Sequence, residues 1–135
     1  MDNGNIQFKE NHFYTRREIY DALGGNLQTY LPTESGKVVC ACLQMKINPT
    51  APRVIYCGLQ ERVMRAGEIL ASQAEPIPVF IKCKVNEWEY IGMYKVNRAT
   101  TDPEELKQHS TEGERELSRI IFMEPQGLPL KEFVS

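Results

Sequence analysis

The sequence has little with which to do chemistry. Its 135 residues include two histidines, His12 and His109, and one tryptophan, Trp88. It contains no G-x-S-x-G elbow, no G-x-x-x-x-G-K-[ST] loop, no H-E-x-x-H pair and no G-x-G-x-x-G turn. Those are patterns that place a nucleophile, cradle phosphates, hold zinc or bind a dinucleotide. A nucleophilic triad would have to be built on His12 or His109, and His109 lies in a polar, acidic segment that reads as solvated surface. Asp102, Glu104 and Glu105 cluster in the same segment rather than at the end of an apolar strand, a poor setting for metal-assisted hydrolysis. The expectation is a protein that is not an enzyme and needs neither metal nor cofactor.

Long apolar runs are missing too. Nothing approaches the roughly 20 residues that cross a bilayer, and Met1-Asp2-Asn3-Gly4-Asn5 has neither the basic nor the apolar region of a signal peptide. A cytoplasmic protein with no membrane partner is expected. Nor is there an excess of positive charge: the net charge is −2, which argues against nonspecific coating of duplex DNA. The charge is uneven, however. Residues 1–98 carry 12 Lys/Arg against 10 Asp/Glu, and residues 99–135 carry 4 against 8, so only the first part could meet a phosphate backbone.

Four cysteines are present, Cys40, Cys42, Cys57 and Cys83, all in apolar, strand-like stretches. Cys40 and Cys42 are two apart and share a face in a strand. A zinc site would want a second cysteine pair or histidines at suitable spacing, and neither accompanies them. Buried, reduced thiols acting as small hydrophobes are the expected reading.

What is there is an ordinary globular composition, 41% hydrophobic and 25% charged, at the modal size of one domain. Thr15 followed three residues later by Glu18 is a capping box. With Ile19 and Leu23 on one face and Gly24-Gly25 to end it, it predicts a helix over 15–23. Residues 26–37 read as a loop, long for a connection and apolar at Leu27, Tyr30 and Leu31. A strand is predicted over 38–45, a turn at Asn48–Pro52, and a strand over 53–57 closed by Gly58. A helix over 59–73 follows, with Leu59, Val63, Ala66 and Leu70 on one stripe. Residues 77–84 and 88–96 form a hairpin through Val85-Asn86-Glu87. Along the second strand, Trp88, Tyr90, Gly92, Tyr94 and Val96 face one way. An acidic stretch, 99–116, holds a short helix from Pro103, and a last strand over 117–123 precedes the tail 124–135. The order does not alternate as a doubly wound sheet would. It predicts an α+β domain over 1–135, core about 12–97: a small bent mixed sheet or partly open β-barrel with two flanking helices.

Recognition residues stand out where catalytic ones do not. Arg16 and Arg17 occupy the first turn of a helix, whose free N–H groups and dipole outline an anion site. Tyr14, Tyr30 and Trp88 are aromatics placed before a helix, in a loop and at a strand start. Rings of this kind stack single-stranded or flipped bases at about 1–3 kcal/mol per base. Gln28 and Asn48, in flanking loops, offer the donor and acceptor groups that read a base edge, and Lys82 adds a cation for phosphate.

Two stretches together resemble a known family. The first is Y-T-R-R-E-I-Y-D-A-L-G-G-N-L-Q at 14–28. The second comprises N-P-T-A-P-R-V-I-Y-C-G at 48–58, P-V-F-I-K at 78–82 and V-N-E-W-E-Y-I-G-M-Y-K-V at 85–96. They resemble the SRA-like (SET- and RING-associated, YDG-type) domains found with modification-dependent HNH endonucleases and, more broadly, the PUA-like superfamily of small bent barrels. The resemblance covers about residues 12–97. It implies binding of DNA that carries a modified cytosine, the base flipped into a pocket of the barrel. No HNH motif is attached, so the chain would act alone or with a separately encoded nuclease or helicase, in restriction or defence. An RNA-binding PUA-like module and a protein–protein adaptor are the alternatives.

Overall fold

A computed structural model describes residues 8–113 and 116–126. The elements, in chain order, are β1 (Phe13–Tyr14), α1 (Arg16–Leu23), β2 (Thr33–Glu34), β3 (Lys37–Val38), β4 (Ala41–Leu43) and β5 (Val54–Cys57). They continue with α2 (Glu61–Ala71), β6 (Ile77–Lys84), β7 (Glu87–Thr100), α3 (Pro103–Gly113) and β8 (Arg119–Pro125). The main sheet runs β4-β6-β7-β8-β5, with β1 also on β7. Among the described residues only β4 and β6 are parallel, and β2–β3 is a separate hairpin. The architecture is the curled mixed sheet of an α+β domain that the sequence predicts. No helix among the described residues is long and apolar enough to cross a membrane.

The sheet is buried on both faces, and alternation along its strands decides which side chain goes where. Ala41, Leu43, Ile55, Cys57, Val79, Ile121 and Met123 pack with Leu70 of α2 in one cluster. Cys40, Cys42, Phe80, Trp88 and Tyr90 pack with Ile19 of α1 in another. Strand β7 breaks the single-face pattern expected of 88–96: Trp88 and Tyr90 join the α1 cluster, but Tyr94 and Val96 pack with the α2 cluster. Val79 pairs with Gly92 and Phe80 with Tyr90, so Ile91 is an extra residue in β7. One inserted residue moves every later side chain to the opposite face, and Gly92, at φ +120°, supplies the conformation the bulge needs.

Other differences have equally local causes. The strand predicted over 38–45 is reduced to β3 and β4, because the chain there pairs with the preceding loop. Val39 N–H donates to Pro32 O at 2.9 Å and Cys42 N–H to Tyr30 O at 2.8 Å. The loop is apolar for that reason: Leu31 and Pro32 are core, and residues 33–38 fold into the hairpin. Leu59 precedes α2 and is exposed instead of joining its stripe. Cys83 is exposed, unlike the three buried cysteines, because it falls in the outer, two-residue-exposed end of β6. Strand β7 runs four residues past Val96, since its second half pairs with β8 over Tyr94–Thr100. Among the described residues a third helix, α3, joins the two flanking ones, starting at Pro103 as the sequence predicts. Asp102 Oδ2 accepts from Glu105 N–H at 3.2 Å at the start of α3, and Leu106 packs against the cluster of Tyr56, Leu117 and Ile120. The tail predicted over 124–135 begins as the end of β8; residues 127–135 lie outside the described residues.

Gly67 shows how tertiary context overrides propensity. Alanine there should favour the isolated helix by about 1 kcal/mol. Yet a Cβ at Gly67 would sit 2.6 Å from the Sγ of Cys57, which is fully buried. Gly67→Ala is therefore expected to lower stability by about 1–2 kcal/mol net, read as a lower denaturation midpoint; a higher midpoint would contradict the packing described.

Candidate functional site

Loops from distant parts of the chain surround one cavity of about 1010 Å³. Its walls are the α1–β2 loop, the turn after β4, the β5–α2 junction and the first turn of α2, and its floor is the start of β7 and the end of β6. Six of the residues singled out in the sequence line it: Arg16, Gln28, Tyr30, Asn48, Lys82 and Trp88. Tyr14 and Arg17 do not. The Tyr14 ring packs on Phe8 and Phe80, with centroids 4.9 and 6.3 Å away, and its hydroxyl accepts from Lys9 N–H at 2.8 Å. Arg17 is exposed, 3.7 Å from Asp21, because adjacent helix positions lie about 100° apart.

The anion site outlined at the start of α1 is occupied by the protein itself. Thr15 Oγ1 accepts from Glu18 N–H, and Glu18 Oε1 accepts from Thr15 N–H. The N–H of Arg16 donates to Asn86 Oδ1 at 3.0 Å. The Arg16 guanidinium is buried and turned inward, where Nη2 donates to the carbonyls of Asn26 and Thr29, each at 3.1 Å. It thereby fixes the loop that Asn26 Oδ1 also organises by accepting from the N–H groups of Gln28 and Thr29. Arg16 is thus a buried positioning residue rather than a surface phosphate contact.

Trp88 is equally engaged. Arg16 Cζ lies 5.1 Å from its ring centroid and Lys82 Nζ 5.9 Å, and the residue is 5% exposed. Its ring is part of the core instead of an open stacking platform. Tyr30 is half-buried, its hydroxyl donating to Val63 O of α2 at 2.8 Å, so its ring is a fixed wall. Asn48 is 2% exposed, and its Oδ1 accepts from Tyr56 N–H at 2.7 Å, tying the turn to β5. Gln28 and Lys82 line the cavity, and Lys82 makes no ion pair among the described residues.

The sequence did not single out the α2 wall. Gly58, Gln60, Arg62 and Val63 line the cavity, and Gln60, the N-cap of α2, makes no side-chain cap. The signal was the Gly58 break between an apolar strand and a helix, but the stripe reading concerned only the inward side. Leu27, Ile47 and Leu59 are exposed apolar residues on three different cavity-lining segments. Cys42 lines the cavity, with its sulfur 4.0 Å from that of Cys40 beneath it in the α1 cluster. Their mutual hydrogen bond, above all, raises the Cys40 pKa, with burial adding to the rise; it lowers that of Cys42, where Arg16 helps and burial opposes. No group of three or more His, Cys, Asp or Glu among the described residues is placed to hold a metal ion.

Tyr56 continues the site toward α3. Its hydroxyl and His109 Nδ1 are 3.1 Å apart, and the His109 ring also stands edge-on to Phe122, at 6.3 Å. His109 is therefore a docking residue for α3 rather than solvated surface.

No curated protein matches the chain. Among solved structures it is similar to the SUVH5 SRA domain in complex with hemimethylated CG DNA. The two share 14% identity over 92% of this chain and 91% of that one, with a TM-score of 0.49. A family model described as a domain of unknown function (DUF6697) matches residues 13–134. The chain belongs to that family.

Proposed function

We propose that the protein reads modified cytosine in DNA by taking the base, extruded from the duplex, into this cavity, and that it binds without catalysing. The observation that carries the reading is the lining of the cavity. It combines fixed aromatic walls, Tyr30 and Tyr56, with side-chain amides, Gln28 and Gln60, and cations, Arg62 and Lys82. Apolar walls with a few placed polar groups are what a small-ligand site needs, and the volume sits at the top of the roughly 300–1,000 Å³ range for such sites. The α2 start, with no side-chain cap and Arg62 beside it, suits the phosphate of an extruded nucleotide. Extrusion is required because the edges of a stacked base cannot enter a pocket, and it costs a few kcal/mol that the pocket must offset. A separate nuclease or helicase would act on the marked site; this chain would supply recognition.

The test is competition between duplexes identical except for one cytosine, plain or 5-methylated, followed by fluorescence anisotropy. The modified duplex should bind at least about fivefold tighter, the equivalent of about 1 kcal/mol, with affinity falling as salt rises. Lys82→Ala should weaken both duplexes alike, since phosphate contacts position without specifying. Tyr30→Ala should reduce the ratio between them. Equal binding of both duplexes would overturn the reading, as would tighter binding to RNA of the same sequence.

A further inference from the structure

The floor of the cavity carries a charge and two hydrogen-bond donors that the described residues leave unanswered. Arg16 and Trp88 both line the cavity and are 8% and 5% exposed. Arg16 Nε and Trp88 Nε1 are buried with no hydrogen-bond partner among the described residues. The guanidinium carbon lies 5.1 Å from the indole centroid, so the two side chains are neighbours in the cavity lining. Buried side-chain donors without partners are uncommon in folded chains. Two together, in a cavity, point to a ligand that accepts.

The charge points the same way. Arg16 forms no ion pair among the described residues; it holds two backbone carbonyls. Its charged neighbours around the cavity are mostly cations, Lys82 and Arg62, with Glu116 the one acidic residue of the lining. A buried charge without a counter-charge is strongly disfavoured unless something pairs with it.

A group that suits this floor has acceptors only and carries negative charge. A carboxylate offers two oxygens with about four lone-pair directions and matches the geometry of a guanidinium edge. A methyl group can fill apolar space there but leaves both donors unpaired. A phosphate of the duplex backbone would stay nearer the mouth, by Lys82 and exposed Arg62, because Arg16 and Trp88 are each over nine-tenths buried. We propose that the cavity floor is a carboxylate site. Resting on the reading above, the base it takes is a cytosine oxidised at C5 to the carboxylate. A free pyrimidine carboxylate has the same chemistry and is separated from it by experiment.

The full chain is titrated with three duplexes carrying one central cytosine, 5-methylcytosine or 5-carboxycytosine, and with free 5-carboxydeoxycytidine. Anisotropy reports the duplexes, and emission from Trp88, the sole tryptophan, reports the nucleoside. The carboxylated duplex should bind about tenfold or more tighter than the methylated one, as for hydrogen bonds to a charged group. Trp88→Phe, which keeps a ring but removes the N–H, should cut that ratio to about threefold or less. Arg16→Lys, which keeps the charge but not the Nε donor, should also reduce it, and serves if the first variant fails to fold. Because the same change alters the bonds that hold the loop, it is read as a ratio between duplexes and beside a melting curve. If the methylated duplex beats the plain one and the carboxylated duplex gains nothing more, the carboxylate site is overturned and the reader stands. Equal binding to all three duplexes with no response to the nucleoside overturns both. Equal duplex binding with a Trp88 response to the nucleoside upholds the carboxylate site and overturns the reader. A full carboxylate preference in both variants would overturn the assignment of these two donors.

Discussion

Replacing Trp88 by alanine is expected to lower the stability of the domain by about 3–5 kcal/mol, the range for truncating a buried large aromatic. The indole is 5% exposed, packs with Ile19, Cys40, Cys42, Phe80 and Tyr90, and carries Arg16 on its ring. Nothing in that cluster can collapse into the space, because Phe80 and Cys42 are held by the parallel pairing of β4 with β6. In a thermal melt followed by far-ultraviolet circular dichroism, a fall of roughly 10–20 °C is expected. A loss below about 1.5 kcal/mol would mean that the site tolerates truncation as a half-exposed position does.

The second large effect separates two adjacent arginines. Arg16→Ala should cost about 2–4 kcal/mol, because it strands the part-buried carbonyls of Asn26 and Thr29 at about 1–3 kcal/mol for each unsatisfied group. The same change should release the loop that carries Gln28 and Tyr30, and binding should be lost along with the melt. Arg17→Ala removes only an exposed i,i+4 pair with Asp21 and should change stability by no more than about 0.5 kcal/mol. Chemical denaturation of the two variants side by side tests this. Equal effects would mean that Arg16 does not hold the loop.

The two arginines also show what can be read from the chain and what cannot. The helix they begin was legible, because Thr15, Glu18 and Gly24 are local signals and act locally as capping box and C-cap. The turn at Val85–Glu87 was legible for a similar reason, with Asn86 taking a positive φ of 54°. Which arginine faces inward was not, since that depends on where β7 and the loop after α1 pack against the helix. The bulge at Gly92 was equally hidden: the alternation of aromatics reads as one face until the partner strand is known. The residue types of the cavity were visible in the loops, but their duties were not. Arg16, Asn48 and Trp88 are spent largely on holding the walls and floor, whereas Arg62 and Gln60 sat unnoticed on the outward side of α2. Helix α3 was announced only by Pro103, because what ties it to the sheet, Leu106, His109 and the Glu105–Arg98 ion pair, depends on strands distant in sequence.

The account stands on one event, the departure of a cytosine from the duplex into the cavity. The most direct measurement places 2-aminopurine beside a 5-modified cytosine in a duplex and follows its emission as the protein is added. Stacking quenches that emission, so extrusion of the neighbour is expected to raise it in step with binding, and much less for the plain duplex. Tight binding to the modified duplex with no change in emission would contradict the account, because the base would then have stayed in the stack.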